Sequence, residues 1–468
     1  MKHSRWLSLV ILCTGFLLIV VDMTIVNVAL PSIGRDLRFS AAGLAWVVNG
    51  YLVAFAGLLL LAGRLADLVG GKRVFMAGLF VFTLGSFACG LAQNQWMLVV
   101  ARFIQGVGGA ASSAVILAMI VGLFPEPNEQ AKAFGVFSFI ASAGAAIGLV
   151  AGGVITQTVN WHWIFFVNVP LGGATAILGQ RFLPLDRRLV VGGRPDVLGA
   201  ALVTAALMLG IYSIVTASLT PGLGALALLA AFVVRQARAA NPIMPLRLLR
   251  SRVLAGANAV QALMSAAFLG FFFVASLDLE RVLGYDPLAL GLGFLPVAVV
   301  MGVFSVRYGA KLTMRFGPFR VLMAGQAVAT AALVLVAAGP DHAEYVRDLF
   351  VPMALLGLGG GLTFPALTLI AMSETPPADS GLASGLLNTT GQVGGALGLA
   401  VLAAVAATRA AALAPGAADP LNALAGGYHL AWTLSAAAVV VSAAVAAVTL
   451  RPRRVIGAAQ TEPVEQAA

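Results

Sequence analysis

The chain has 468 residues, of which 60% are hydrophobic and only 10% charged, and it carries a formal net charge of +10. No water-soluble core hides that much apolar surface, so the composition excludes a soluble globular protein and identifies an integral membrane protein. The positive charge does not argue for nucleic-acid binding, because the basic residues segregate by membrane side and suit anionic lipid.

Apolar runs of helical length are predicted near 7–30, 44–62, 74–92, 96–122, 133–157 and 163–182. The first follows Lys2 and Arg5 as a signal peptide would, but its length and Asp22 mark it as a retained helix. A central pair, 197–216 and 222–235, is interrupted by Pro221. Its second member reaches only about 21 Å against a hydrocarbon core of about 30 Å. A second set lies near 253–277, 288–306, 321–338, 350–372, 382–407 and 428–450. The prediction is an all-α polytopic protein with fourteen transmembrane helices, or twelve if the central pair does not span.

Either number is even, which puts both termini on one side. Most of the 28 Lys and Arg residues fall on that side, among them Lys2, Arg5, Arg64, Lys72, Arg73, Arg247, Arg250, Arg315 and Arg320, which predicts that it is cytoplasmic. The expected organisation is a six-helix bundle over 1–190, an insert with two extra helices over 191–250, a second six-helix bundle over 251–454 and a disordered cytoplasmic tail over 455–468. Trp46, Trp96, Trp161, Trp163 and Trp432 lie near segment ends, as interfacial anchors would. Cys13 and Cys89 sit within apolar runs with no CxxC or Cys/His cluster, so neither a disulfide nor a metal site is implied.

Between the second and third runs lies a charged island, Gly63-Arg64-Leu65-Ala66-Asp67-Leu68-Val69-Gly70-Gly71-Lys72-Arg73. A weaker copy, Ala310-Lys311-Leu312-Thr313-Met314-Arg315-Phe316-Gly317-Pro318-Phe319-Arg320, occupies the equivalent turn in the second set. The repeat implies two related halves, as in secondary transporters.

Asp22 is the one carboxylate placed deep in a segment, where a charge costs several kcal/mol (about 2.5–3.5 on insertion scales). It is expected to face a wet cavity and titrate, with proton binding or cation recognition as its role; a structural hydrogen bond to a neighbouring helix is the competing reading. Arg102 is the matching buried cation, with Gln105 at i+3 on its face. Asp278 and Glu280 end the 253–277 segment. They either attract a cationic substrate or carry a second proton, or are solvated loop-edge charges partnered by Arg281. Asn27, Asn49, Gln105, Asn258, Gln261, Asn388 and Gln392 make a candidate lining for a central substrate cavity, with interhelical hydrogen bonding as the alternative for each. Gly144, Gly148 and Gly152, at i, i+4 and i+8, with Gly153, make a close-packing face. No enzyme constellation and no GxxxxGK[ST] nucleotide loop appears, and no cofactor is expected.

Three of these stretches, in order, resemble the major facilitator superfamily, and specifically its fourteen-helix drug:proton antiporter branch. Asp22-Met23-Thr24-Ile25-Val26-Asn27-Val28-Ala29-Leu30-Pro31 is similar to that branch's helix 1 signature, the 63–73 island to the superfamily's cytoplasmic loop motif, and Arg102-Phe103-Ile104-Gln105-Gly106-Val107-Gly108-Gly109-Ala110 to its helix 4 motif. Asn160-Trp161-His162-Trp163-Ile164-Phe165-Phe166-Val167-Asn168-Val169-Pro170 is similar to the entry to helix 6, with His162 where Arg is usual. The helix 5 antiporter motif departs: Leu149 stands where Pro is expected.

The resemblance implies two pseudo-symmetric six-helix bundles plus two central helices, with proton coupling through Asp22 and Arg102. It also implies a cytoplasmic gate at Gly63, Asp67, Gly70 and Arg73, in which Asp67 caps a helix of the opposite half and Arg73 joins its charge network. The implied function is proton-driven export of amphipathic organic compounds, such as drugs, antiseptics or a natural product, from a bacterial cytoplasmic membrane by alternating access. Asp22 would take up its proton from outside as substrate leaves and lose it toward the cytoplasm. The partners are then a small-molecule substrate, protons and lipid, with the protein as a monomer. The alternative, opened by Leu149, is a gradient-driven uniporter or importer of a small metabolite.

Overall fold

In lipid every backbone N–H and C=O must be satisfied within its own segment, so apolar runs become helices. The computed structural model describes residues 2–184, 195–239, 242–244, 246–340, 343–373, 380–416 and 419–451, and among these all regular structure is helical. The predicted tail at 455–468 lies outside the described residues.

The first half comprises α1 (Lys2–Asp36), α2 (Ala41–Val69), α3 (Gly71–Gly90), α4 (Gln95–Leu123) and α5 (Pro127–Thr158), then a span made of α6 (Trp163–Phe166) and α7 (Asn168–Phe182). The central pair is α8 (Val197–Thr216) and α9 (Leu219–Arg238). The second half opens with α10 (Arg252–Arg281), then a span built from α11 (Pro287–Gly293), α12 (Leu295–Val303) and the π-helical turn Phe304–Tyr308. It closes with the short α13 (Gly309–Phe316), α14 (Pro318–Ala337), α15 (Phe350–Ser373), α16 (Ser380–Leu413) and α17 (Pro420–Thr449). Thirteen of these spans are long and apolar enough to cross a membrane among the described residues, and α5, of 32 residues, makes the fourteenth helix.

The short central segment is corrected. α9 has 20 residues, because Pro221 lies in its first turn rather than before it. The first four N–H groups of a helix have no intrahelical acceptor, so a proline there removes nothing. At about 30 Å both α8 and α9 match the bilayer, and the twelve-helix option falls away.

Side-chain caps fix several helix starts: Ser40 accepts from Gly43 N–H, Asn94 from Met97 N–H, Ser251 from Leu254 N–H and Asp286 from Ala289 N–H. The two halves repeat one geometry. α2 and α3 turn on Gly70 at φ 98°, and α13 and α14 turn on Gly317 at φ 83°, backbone conformations that a Cβ would strain. Likewise α5 lies along α1, with Gly144 against Leu17 and Gly152 against Ile25, while α16 lies along α10, with Gly394 against Ala262 and Gly398 against Ala266. Leu149 is buried within α5, which is helical from end to end.

Two of the expected interfacial tryptophans are instead interior. Trp161 is 4% exposed and donates from Nε1 to Asp36 at 2.8 Å, and Trp432 is 2% exposed; Trp96 and Trp163 are exposed as anchors would be.

The two halves touch where α2 packs along α16, with Gly385 against Leu60, and at the end of the bundle remote from the termini. There Arg35 pairs with Glu280 at 2.7 Å, Gln157 Nε2 reaches Asp286 Oδ2 at 3.3 Å, and Gly153 lies against Pro287 of α11. At the opposite end the central pair is tied by Asp196, the buried N-cap of α8, which accepts from Gly199 N–H, Arg235 Nε at 3.0 Å and Gln236 Nε2 at 2.8 Å. Gln236 in turn accepts from the backbone of Met244 at 3.0 Å. Burial pushes the Asp196 carboxyl up, but these hydrogen bonds and the Arg235 charge outweigh it and hold the group below its ordinary value. A carboxyl lowered on folding stabilises fully above its unfolded pKa and loses that contribution as pH falls through the folded one. Asp196→Ala is therefore expected to cost about 1–2 kcal/mol as a lost cap. Melting of the detergent-purified protein should show the deficit at neutral pH, and the gap from wild type should narrow under acid.

A buried carboxylate–guanidinium site

Asp22 on α1 is fully buried in this conformation. Its neighbours explain how a charge survives there. Oδ2 accepts from Arg102 Nη1 of α4 at 2.6 Å, and Oδ1 accepts from Gln105 Nε2 at 2.7 Å and from Asn168 Nδ2 of α7 at 3.1 Å.

Arg102 is 1% exposed, and since its guanidinium only donates, each N–H needs an acceptor. Nη1 also donates to Gln105 Oε1 at 2.6 Å, and Nε donates to the Val47 carbonyl of α2 at 3.0 Å. Its carbon lies 4.5 Å from the Tyr51 ring centroid and 5.7 Å from that of Phe165, within cation–π range. The amide orientation of Gln105 follows from the network: the oxygen faces the guanidinium and the nitrogen faces the carboxylate.

Ser86 on α3 closes the cluster, accepting from Gln105 Nε2 and Asn168 Nδ2, both at 3.0 Å, and donating to the Phe165 carbonyl at 3.1 Å. It can reach because α3 and α4 nearly touch: a Cβ built on Gly85 would lie 2.7 Å from the Gln105 backbone. Six helices thus meet on one ion pair. The three side chains around Asp22 all donate to it, so the arrangement suits the carboxylate.

Other candidate residues lie elsewhere. Gln105 belongs to the ion-pair cluster and is buried, so it lines no cavity in this conformation. Asn27 is buried and donates back to Met23 O at 3.2 Å; Asn258 donates to Leu254 O at 2.8 Å; Gln261 lies 3.4 Å from Ser265. Asn49 is fully buried with neither end of its amide partnered, Asn388 is exposed, and Gln392 is half-buried. Asp278 and Glu280 are not loop-edge charges: both lie within α10, Asp278 is buried, and Glu280 pairs with Arg35 rather than Arg281.

At the charged island Gly63 faces open space, Gly70 makes the turn and Arg73 is exposed, while Lys72 ties the turn to the end of α7 by donating to Gln180 O at 2.9 Å and Leu183 O at 2.6 Å. The Asp67 side chain lies outside the described residues. Gly148 lies against Thr24 of α1, on the same face as Gly144 and Gly152, whereas Gly153 faces α11. Among the described residues no group of three or more His, Cys, Asp or Glu could hold a metal. The sequence reading missed Ser86, Asn168, Tyr51 and Phe165. Asn168 and Phe165 stood inside the 160–170 motif, but Ser86 and Tyr51 carry no local signal.

Comparison with known proteins gives concordant findings. The family model described as Major Facilitator Superfamily matches residues 12–399. A puromycin resistance protein from Streptomyces alboniger is 38% identical over 421 residues, covering 87% of this chain and 83% of that protein. A cephamycin export protein from Amycolatopsis lactamdurans is 39% identical over 410 residues, covering 85% and 84%. In fold the chain is similar to a bacterial homologue of the lysosomal transporter Spinster, solved inward-facing and unoccupied, with TM-score 0.70 at 15% identity over 96% of this chain and 98% of that one.

Removing one member of a buried pair leaves an uncompensated charge, which costs about 3–5 kcal/mol. Arg102→Ala should therefore lower the melting temperature of the purified protein sharply. The double variant Asp22→Asn/Arg102→Gln should lose less than the two single variants summed.

Proposed function

The chain belongs to the Major Facilitator Superfamily, and from that premise we propose that it exports amphipathic organic compounds across a bacterial cytoplasmic membrane in exchange for protons. It is a multi-pass membrane transporter rather than an enzyme. The observation that carries the exchange reading is the Asp22–Arg102 pair, wholly buried, with the carboxylate held by donors and the guanidinium by acceptors.

By the positive-inside rule the end carrying the termini is cytoplasmic, so the Arg35–Glu280 and Gln157–Asp286 contacts close the outer end. In this outwardly closed state Asp22 is a carboxylate bound to Arg102. Loss of the proton toward the cytoplasm would set that state and admit substrate; opening of the outer contacts would draw Arg102 away, let Asp22 take a proton from outside and release the substrate. The two bundles, 1–190 and 251–454, would rock against each other around a midplane site, with α8 and α9 riding beside them. Closure of the cytoplasmic end in the other state would engage Asp67 and Arg73. Lining by Asn27, Asn49, Asn258, Gln261, Asn388 and Gln392 is part of the same reading. The names of the relatives make puromycin and cephamycins the first compounds to try.

The test uses proteoliposomes loaded with puromycin and an imposed pH gradient. Uphill puromycin movement should collapse when a protonophore dissipates the gradient, and Asp22→Asn should abolish it while leaving downhill exchange measurable. Transport indifferent to the protonophore would instead establish the uniporter alternative, and uphill transport by Asp22→Asn would remove Asp22 from the coupling role.

A further inference from the structure

Among the groups hydrogen-bonded to Asp22, Asn168 alone has an unused acceptor. It is 1% exposed, and its Nδ2 donates to Asp22 Oδ1 at 3.1 Å and to Ser86 Oγ at 3.0 Å. Its Oδ1 is buried as well and has no donor. An unmet amide oxygen in the interior is costly, and such an atom calls for a reason.

The other neighbours of Asp22 are committed. Gln105 Oε1 accepts from Arg102 Nη1 at 2.6 Å, with Cys89 Sγ at 3.7 Å, and Arg102 only donates. The titratable groups found facing Asp22 among the described residues are Arg102 of α4, Tyr51 of α2 and Cys89 of α3. On the remaining sides α5 presents Gly148, α7 presents Asn168, and α10 carries no charge between Arg252 and Asp278.

An asparagine amide has nearly the same shape either way round, with a donor at one end and an acceptor at the other. Facing an anion, its nitrogen turns toward Asp22, as found here. Once Asp22 is a neutral acid, its O–H needs an acceptor. Half a turn of the Asn168 amide puts Oδ1 where Nδ2 now stands, and the oxygen gives up no hydrogen bond in moving. Ser86, whose hydroxyl rotates freely, can follow by turning its O–H from the Phe165 carbonyl to the amide oxygen.

We propose that Asn168 is the positioning residue that holds protonated Asp22: its amide inverts so that Oδ1 accepts from the Asp22 O–H, and it returns when the carboxylate pairs with Arg102. The step adds one proton to an Asp22 oxygen from a hydronium ion, which leaves as water, and no other covalent bond changes. The inference rests on the proton-exchange reading and deepens it by naming what receives the neutral acid.

The experiment is infrared difference spectroscopy of the purified protein between alkaline and acid pH, with the asparagine side-chain carbonyls labelled with carbon-13. On acidification wild type should gain the C=O stretch of a buried carboxylic acid, lost in Asp22→Asn, together with a downward shift of one labelled amide C=O stretch as Asn168 Oδ1 gains a donor. Asn168→Leu should abolish the amide shift and keep the acid band at an altered frequency. Should Asn168→Leu not fold, Asn168→Ser, which removes the amide but keeps an acceptor, must abolish the amide shift in the same way. An Asp22 acid band with no amide shift, or an amide shift that survives in Asp22→Asn or in the Asn168 variant, would overturn this inference and leave proton exchange standing. No Asp22 acid band at any pH would remove the exchange reading and this inference with it.

Discussion

A carboxylate and a guanidinium at the centre of a hydrocarbon slab impose the arrangement of everything around them. Arg102 cannot discharge by losing a proton, so it has to be matched wherever α4 goes. Asp22, Gln105, Val47 O and the faces of Tyr51 and Phe165 together meet that demand, and they come from different helices. The glycine contact that brings α3 onto α4 helps deliver these partners to one point.

The second half repeats the frame without the ion pair. Its turn on Gly317 and its glycine contacts between α16 and α10 mirror those of the first half, but its buried acid, Asp278, has no matching arginine among the described residues. The duplicated scaffold therefore carries two unlike polar interiors. Met314 replaces the acid of the first island in the copied turn, which makes the two cytoplasmic turns unequal as well. Between the halves, the Arg35–Glu280 pair is partly open to solvent, with Arg35 68% exposed. Such pairs are worth up to about 1 kcal/mol, so this one adds little by itself to closure at that end.

Much of this was legible in the sequence because hydrocarbon thickness and charge cost act on local patterns. Helix number, the paired turns and the expense of Asp22 and Arg102 all follow from one-dimensional rules. Pro221 misled because a proline reads as a break while the first turn of a helix tolerates it. The environment of Asp22 was not legible: Ser86, Tyr51 and Asn168 come from three further helices, and no spacing rule links them. Asp278 and Glu280, two residues apart, looked like one acidic edge. The helix turns them toward opposite halves, one to a cavity and one to an ion pair.

The central claim is that Asp22 trades Arg102 for a proton when substrate and proton exchange. The most direct measurement is the change in free proton concentration when puromycin is added to the purified protein in weakly buffered solution. The account predicts that wild type releases protons on binding and that Asp22→Asn binds puromycin with its release reduced by the proton Asp22 holds. Equal proton release from both proteins, at equal puromycin occupancy, would contradict it.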